Sequence, residues 1–541
     1  MRPRLAELAQ QKFDVVVIGG GINGAGIARE TALHGYRTLL VERNDFGSGT
    51  TSRATRLIHG GLRYLEHGEF GLVYESLGER ETLVRDVPHL VRPLRLLVPV
   101  YRGDRRPPWM VRLGLAMYDA FSLRKSLPRH RAVTRAALDG YEPNLNRDGL
   151  RAAYTFYDAQ VEFPERLVAE SVREFTDAGG AAMNHVACTG LVSPGHVLHA
   201  LVLRDECTGE TAEIETAVAV NAAGPWVDEV LAGSDAERHD RLIGGTKGSH
   251  LVADWPGAPR HAVFATARED GRPFFILPWY RYTLVGTTDL RYDGSPSAAQ
   301  CTPDELRYLL DEANHLFPST PLRSDDVLYT YCGIRPLPYT ERGDESTISR
   351  SHFIIDHVKR GGPSGLLSIV GGKLTTYRSL ARLALPAIAR HVRPSSAPSS
   401  IPASGGVPPS RLGKGAGGLG SVPPPTDPLA LYGPRAAEVR ALIDTDPSLG
   451  DRICEHNSEL LAQVAYAVER EHAVTLADVL LRRLPVGWSK CHALDGAERA
   501  ARMMAPRLNW DDAQLTRELA AYEAELRTTL VPVGALTDSP S

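Results

Sequence analysis

Phe13-Asp14-Val15-Val16-Val17-Ile18-Gly19-Gly20-Gly21-Ile22-Asn23-Gly24 decides the fold. The apolar run reads as a buried strand, and the glycine turn behind it opens a helix. A second apolar run, Thr38-Leu39-Leu40-Val41, ends at Glu42, eighteen positions after Gly24. Strand, glycine turn, helix, strand and acid together form a dinucleotide-binding fingerprint. Gly19 permits the tight turn, Gly21 lets the backbone approach a pyrophosphate, and Gly24 lets the helix pack on the strand. Ile22 and Asn23 begin that helix, whose free N–H groups and positive dipole end face the phosphates. Glu42 is placed to bond an adenosine ribose, and its charge disfavours a 2′-phosphate. Redox chemistry is therefore the leading reading. Gly413-Lys414-Gly415-Ala416-Gly417-Gly418 has the same glycine spacing, but no strand precedes it and prolines surround it. It reads as linker.

The chain has 541 residues, 43% hydrophobic and 23% charged, enough for two or three domains. A formal net charge of −4 argues against a general nucleic-acid binder. Cys188, Cys207, Cys301, Cys332, Cys454 and Cys491 are scattered, with no C-x-x-C and no metal-ligand spacing. The expectation is no metal site, and thiols suited to a reducing cytoplasm. The first apolar run opens a strand instead of a cleavage site, and no apolar stretch approaches the length of a membrane span. Membrane contact would be peripheral.

Helices are expected near Gly71–Asp86, Trp109–Ser122, Pro164–Ala178 and from Leu374. Another follows Thr302-Pro303-Asp304-Glu305, which supplies an N-cap, a first-turn proline and a capping-box acid. Strands are expected at Ala217–Val220, Phe274–Leu277, Thr283–Val285, Val327–Tyr331 and Leu366–Val370. The fold class is α/β: a Rossmann-like FAD-binding domain, an antiparallel β-rich substrate domain and a C-terminal helical domain. The oxidoreductase region is placed at 13–392. Its cofactor segments are about 13–80, 150–240 and 350–392, and its substrate segments about 81–149 and 241–349. A Pro/Gly/Ser-rich linker follows at 393–428, a helical domain at 429–530 and a disordered tail at 531–541. Three strands end in glycine turns, at Ile18-Gly19, at Val220–Gly224 and at Val370-Gly371-Gly372. In a parallel sheet such ends converge on the ligand. Three of them suit one long cofactor, FAD, with Ala223, Gly224, Gly371, Gly372 and Thr375 beside it.

The densest chemistry lies in Thr50-Thr51-Ser52-Arg53-Ala54-Thr55-Arg56-Leu57-Ile58-His59-Gly60-Gly61-Leu62-Arg63-Tyr64. Thr51 and Ser52 suit bonds to a cofactor phosphate or ring edge. His59 can take a proton from a substrate hydroxyl as hydride leaves carbon. His250, in Lys247-Gly248-Ser249-His250, is the alternative base. Arg335, held extended before Pro336, offers a planar fork to phosphate or carboxylate. Lys373, behind Gly371-Gly372, can stabilise negative charge on a reduced flavin or a substrate anion. Gly286-Thr287-Thr288-Asp289 reads either as a site cluster or as plain turn chemistry. Trp109–Phe121, flanked by Arg102, Arg105, Arg106, Arg124, Lys125 and Arg129, reads as a helix in the membrane interface or as a core helix with solvated ends. Arg2 and Arg4 are the fallback for membrane attachment.

The stretches VVVIGGGINGAGIARE, LIHGGLRYLE, PHLVRPL, NAAGPWVD, KGSHLV, LPW, VGTTD, GIRPL and GGKLTTYR carry a resemblance. The chain is similar to the FAD-dependent glycerol-3-phosphate dehydrogenases of the D-amino-acid-oxidase-like flavoprotein group, from about residue 13 to 380. The helical region matches that family's C-terminal domain more faintly. The resemblance implies oxidation of sn-glycerol 3-phosphate to glycerone phosphate by FAD, with electrons passed to a membrane quinone. It implies a catalytic set of His59, Arg335 and Lys373, with Arg63, Tyr64, His250, Arg272 and Arg350 binding substrate. It also implies a cytoplasmic protein held peripherally on the inner membrane face, with a homodimer as a candidate assembly. The rivals are an oxidase passing electrons to O2, an amine or D-amino-acid oxidase, and a non-catalytic flavin-binding regulator.

Overall fold

The computed structural model describes residues 2–66, 68–122, 126–233, 240–341, 348, 350–399 and 427–537. The second glycine-rich spacing at 413–418, most of the proline-rich stretch, Arg124, Lys125 and the last four residues lie outside them.

Phe13–Ile18 is a strand buried along almost its whole length, as its run of Val and Ile requires of a central parallel strand. It pairs in parallel with Thr38–Val41 on one side and Thr211–Asn221 on the other. Leu366–Val370 joins beyond Thr211–Asn221, and Ala181–Met183 beyond Thr38–Val41, both parallel. The register sets Ile18 opposite Asn221 and Asn221 opposite Ser368, so the three glycine turns leave the sheet at one edge. The helix Ile22–Leu33 follows the first turn. A Cβ on Gly24 would lie 1.8 Å from the Gly19 carbonyl oxygen, which is why this helix start tolerates only glycine there.

The second sheet is mostly antiparallel and has ten strands among the described residues. Its spine is Thr246–Ala253, flanked by Tyr282–Gly286 and Val327–Arg335. It continues through Pro273–Trp279 and Ala262–Thr266 to the long pair Val91–Tyr101 and Leu150–Val161. That last strand opens the segment expected in the cofactor domain, yet it pairs in the substrate sheet. Leu57–Ile58 does the same. Partner choice between strands depends on distant residues, and local patterning does not carry it. The helix Pro303–Leu316 has the expected cap: Thr302 Oγ1 accepts from Glu305 N–H, and Glu305 accepts from Thr302 N–H.

The C-terminal helices Ala436–Thr445, Leu461–Arg470, Ala497–Leu508 and Asp512–Thr529 share one core cluster with the second sheet. Arg482 and Arg483 reach Asp45, in the loop after the second strand, at 2.8 and 2.7 Å, with all three side chains nearly fully buried. Arg56 lies between Trp279 and Trp488, at 4.6 and 4.5 Å from their ring centres. A desolvated cation over such rings gains about 2 kcal/mol. The tail differs from expectation up to Thr537. Val531 pairs with Thr330, Leu536 is buried, and Val533–Thr537 is helical, because apolar side chains at these positions complete the core.

Candidate active site

The fingerprint forms an open cradle. Around Gly21 a Cβ would meet only Thr51 Oγ1, at 3.5 Å, and around Gly224 it would meet nothing within 4 Å. Thr51 Oγ1 accepts from Ile22 N–H at 3.1 Å. Asn23 donates to Gly371 O, its Oδ1 is buried without a partner, and its amide fills the space beside Gly372. Glu42 accepts from Gly20 N–H and Asn44 N–H, at 2.7 and 2.9 Å, which leaves lone pairs for a ribose. Ala223 N–H bonds Asn221 Oδ1. Ser52 departs from its expected use: its hydroxyl donates inward to Gly47 O at 2.7 Å. Glycine openings, an orphaned amide oxygen and a helix N-terminus fit a dinucleotide.

The two sheets meet at the cradle. Gly371 N–H donates to Pro336 O, and Thr50 Oγ1 donates to Ile334 O. This sets Arg335 beside the third turn. Arg335 donates to Asp289 Oδ1 at 2.8 Å, Thr287 Oγ1 at 3.1 Å and Thr288 O at 3.2 Å. Gly248 makes room, since a Cβ there would lie 2.3 Å from the Arg335 guanidinium. Arg350 bonds the other Asp289 oxygen at 2.8 Å, and Arg272 donates to the Asp289 carbonyl. Burial pushes the Asp289 carboxyl up, but Arg335 and Arg350 outweigh it and hold it at about 2. Asp289 is thus the anchor of three predicted cations, and the Gly286–Asp289 cluster is more than turn chemistry. Arg335 spends three of its five donors on this anchor. It acts as a fixed charge more than as a free fork.

Arg63, Tyr64 and Lys373 stand close by. Lys373 Nζ lies 3.8 Å over the Tyr64 ring and reaches Ser76 Oγ at 3.5 Å. Burial brings its pKa down to about 7; Glu69 and Glu75 oppose this, and Arg350 adds to it. Arg350, Arg63 and Arg335 all act electrostatically on Tyr64.

His59 is half-buried at the rim of the group. Thr375 Oγ1 accepts its backbone N–H at 3.1 Å. Burial pushes its imidazole down to about 4, opposed by Asp158 and reinforced by Lys373 and Arg80. The following Gly60 N–H is held by Tyr118 Oη at 2.7 Å, which donates to Asp158 at 2.6 Å; Arg80 bonds the same carboxylate oxygen. Sequence reading missed Asp158, Tyr118 and Arg80, because all act through other residues, and it left Asp289 open between a site role and turn chemistry. His250 is enclosed. Its ring stacks on Tyr331 at 4.8 Å, its Nε2 bonds Thr55 Oγ1 at 2.9 Å, and Gly286 lies against it.

The FAD-dependent oxidoreductase family model matches residues 14–378, and the model for the C-terminal domain of alpha-glycerophosphate oxidase matches residues 427–515. A glycerol-3-phosphate dehydrogenase of Synechocystis sp. is 39% identical, over 97% of this chain and 98% of that protein. A glycerol-3-phosphate dehydrogenase 2 of Mycobacterium tuberculosis is 34% identical, over 97% of this chain and 90% of that one. The crystal structure of the glycerol-3-phosphate dehydrogenase from Bacillus halodurans complexed with FAD superposes with a TM-score of 0.71 at 27% identity, over 98% and 97% of the two chains. With the cradle and the cation cluster, these likenesses place the chain in the FAD-dependent oxidoreductase family, on the branch of the glycerol-3-phosphate dehydrogenases, and its cofactor is FAD.

Proposed function

We propose that the protein oxidises sn-glycerol 3-phosphate to glycerone phosphate and passes the electrons to a membrane quinone. The observation that carries this reading is the grouping of Arg63, Arg335, Arg350 and Lys373 around Asp289 and Tyr64. One carboxylate needs about one arginine. A phosphomonoester, close to dianionic at neutral pH, needs several cations. Bound FAD supplies the hydride acceptor. Arg335 and Arg350 present a positive face fixed by Asp289, and Arg63 extends it. The His59 imidazole, neutral above about pH 4, accepts the hydroxyl proton. Its partial exposure favours it over the enclosed His250. Lys373 stabilises the negative charge that develops at the reacting centre.

Anaerobic mixing tests the substrate. Glycerol 3-phosphate bleaches the bound flavin, whereas glycerol and D-amino acids do not. Re-oxidation by a soluble quinone without peroxide then supports the acceptor; peroxide in air would favour O2. Bleaching by a D-amino acid alone would overturn the reading.

Lys373 gives the activity a pH signature. It carries charge below about 7 and loses it above, whereas the substrate is already dianionic there. The profile of kcat/KM, which reports the free enzyme, falls on its alkaline side with an apparent pKa near 7. Lys373→Arg removes that limb. A flat profile from about pH 6 to about pH 9 counts against the role.

For the second half-reaction we place the membrane contact on the helix Pro108–Ala120. Only Leu115 and Tyr118 of this helix are buried, which supports the interface reading over a core helix with solvated ends. Trp109, Met110 and Leu113 are exposed, as are Phe70 and Tyr74 on the helix Phe70–Asp86. Arg102, Arg105, Arg112 and Arg129 are exposed around them. A cavity of about 300 Å³ opens between this helix and Leu62, Leu65 and Phe264, and Arg63 also lines it. No helix among the described residues is long and apolar enough to cross a membrane. Of the fallback pair, Arg2 is spent on Asp205 and the Asn184 carbonyl, while Arg4 is exposed. Flotation with anionic liposomes shows binding that weakens with salt and that Trp109→Ser with Leu113→Ser abolishes. Unchanged binding in that variant would move the contact elsewhere.

A further inference from the structure

Two thiols far apart in sequence meet in the C-terminal domain. Cys454 Sγ, Cys491 Sγ and a carboxylate oxygen of Asp495 all lie within 4.8 Å of one another. His456 Nδ1 stands 3.1 Å from Asp495 Oδ2. The two turns that carry these groups approach closely because Gly496 has no side chain: a Cβ there would lie 2.3 Å from Ile453 O and 2.9 Å from Cys454 Cβ. At the centre sits the Asn457 amide nitrogen, 3.1 Å from Cys454 Sγ, 3.2 Å from Cys491 Sγ and 3.1 Å from Ser489 Oγ. An amide nitrogen has two hydrogens, so three acceptors surround two donors. Two sulfurs and a hydroxyl oxygen thus converge on one point. The other group of this kind among the described residues, Asp45 with His185 and Asp478, is already neutralised by Arg482 and Arg483.

We propose that Cys454, Cys491 and Asp495 form a zinc-class metal site, with the Asn457 amide standing where the ion binds and His456, beside Asp495, completing the set once its ring turns toward the sulfurs. Two thiolates select a soft or borderline cation over Mg²⁺ or Ca²⁺. A tetrahedral ion with bonds of about 2.3 Å to sulfur and about 2.0 Å to nitrogen and oxygen sets sulfur atoms about 3.8 Å apart and the N–O edge near 3.3 Å. The His456–Asp495 separation of 3.1 Å is close to that edge, and the two sulfurs lie within 4.8 Å of each other. Binding displaces the Asn457 amide and releases the two thiol protons to solvent. Entry is open: His456, Asn457 and Ser489 line a cavity of about 420 Å³ between the C-terminal domain and Tyr280–Tyr282. The ion would staple the turn around 453–459 to the turn around 489–496.

The test loads the FAD-bound full chain with Zn²⁺, desalts it and measures metal per chain. One zinc per chain is expected in the wild-type protein and in Cys207→Ser, an exposed thiol elsewhere. Cys454→Ser and Cys491→Ser lose it. Asp495→Asn, at a half-exposed side chain, guards against a folding artefact and lowers zinc affinity about tenfold or more. Co²⁺ in place of zinc gives tetrahedral bands to the red of the flavin absorption, and these are absent from the Cys454→Ser variant. No zinc in the wild type, zinc retained in both serine variants, or a Cys454–Cys491 disulfide in the zinc-treated protein overturns the proposal.

Discussion

His59→Ala slows flavin reduction by about 10²–10⁴-fold and leaves substrate affinity little changed, because a general base acts on the proton in flight and not on the bound anion. The geometry sharpens the expectation. His59 sits on a turn fixed by Tyr118, Asp158 and Arg80 through Gly60 N–H, so the alanine variant keeps the backbone and loses only the imidazole. Its low pKa means that the wild-type rate stays flat down to about pH 5, roughly one unit above the value of about 4. Stopped-flow reduction is the measurement. Normal reduction in His59→Ala with slow reduction in His250→Ala would transfer the role to His250.

Arg335→Ala costs on the order of 2–4 kcal/mol in kcat/KM, mainly through KM. The loss has two parts. One cation facing the anion disappears, and Asp289 keeps Arg350 as its only charged side-chain partner among the contacts described above, which loosens the fixed geometry of both. Arg335→Lys rescues only partly. A lysine cannot bond Asp289, Thr287 and the Thr288 carbonyl together, as the guanidinium does. Steady-state kinetics on both variants check this. Wild-type constants in Arg335→Ala would remove the residue from the site.

Much of this site is legible in the sequence, for a physical reason. Residues 13–24 and 38–42 form strand, turn and acid from contiguous chain, so local patterning specifies them. The ends of the three parallel strands could be paired in advance because each closes in a glycine turn. The cation set could be named through the resemblance, but its organisation could not. Asp289 looks like a turn aspartate until Arg335 and Arg350, 46 and 61 positions away, arrive from other segments. Asp158 lies in a strand whose partner, Val91–Tyr101, is equally remote. The Gly60–Tyr118–Asp158 contacts join three segments whose proximity only the tertiary fold creates. Cys454 and Cys491 carry no spacing signal at all, since their meeting depends on two turns packing across Gly496.

Two family models cover this chain with a gap between them, as though two modules had been joined end to end. The Asp45 cluster says otherwise. The Asp45 carboxylate of the first module is neutralised by Arg482 and Arg483 from the second, and Arg56 of the first lies between Trp279 of the same module and Trp488 of the second. Stranding a buried charge costs about 3–5 kcal/mol, a large share of a domain's net stability. A cut between residues 400 and 426 therefore does not yield an autonomous oxidoreductase and a dispensable appendage. Separating the two parts would need compensating changes at Asp45 and Arg56 first.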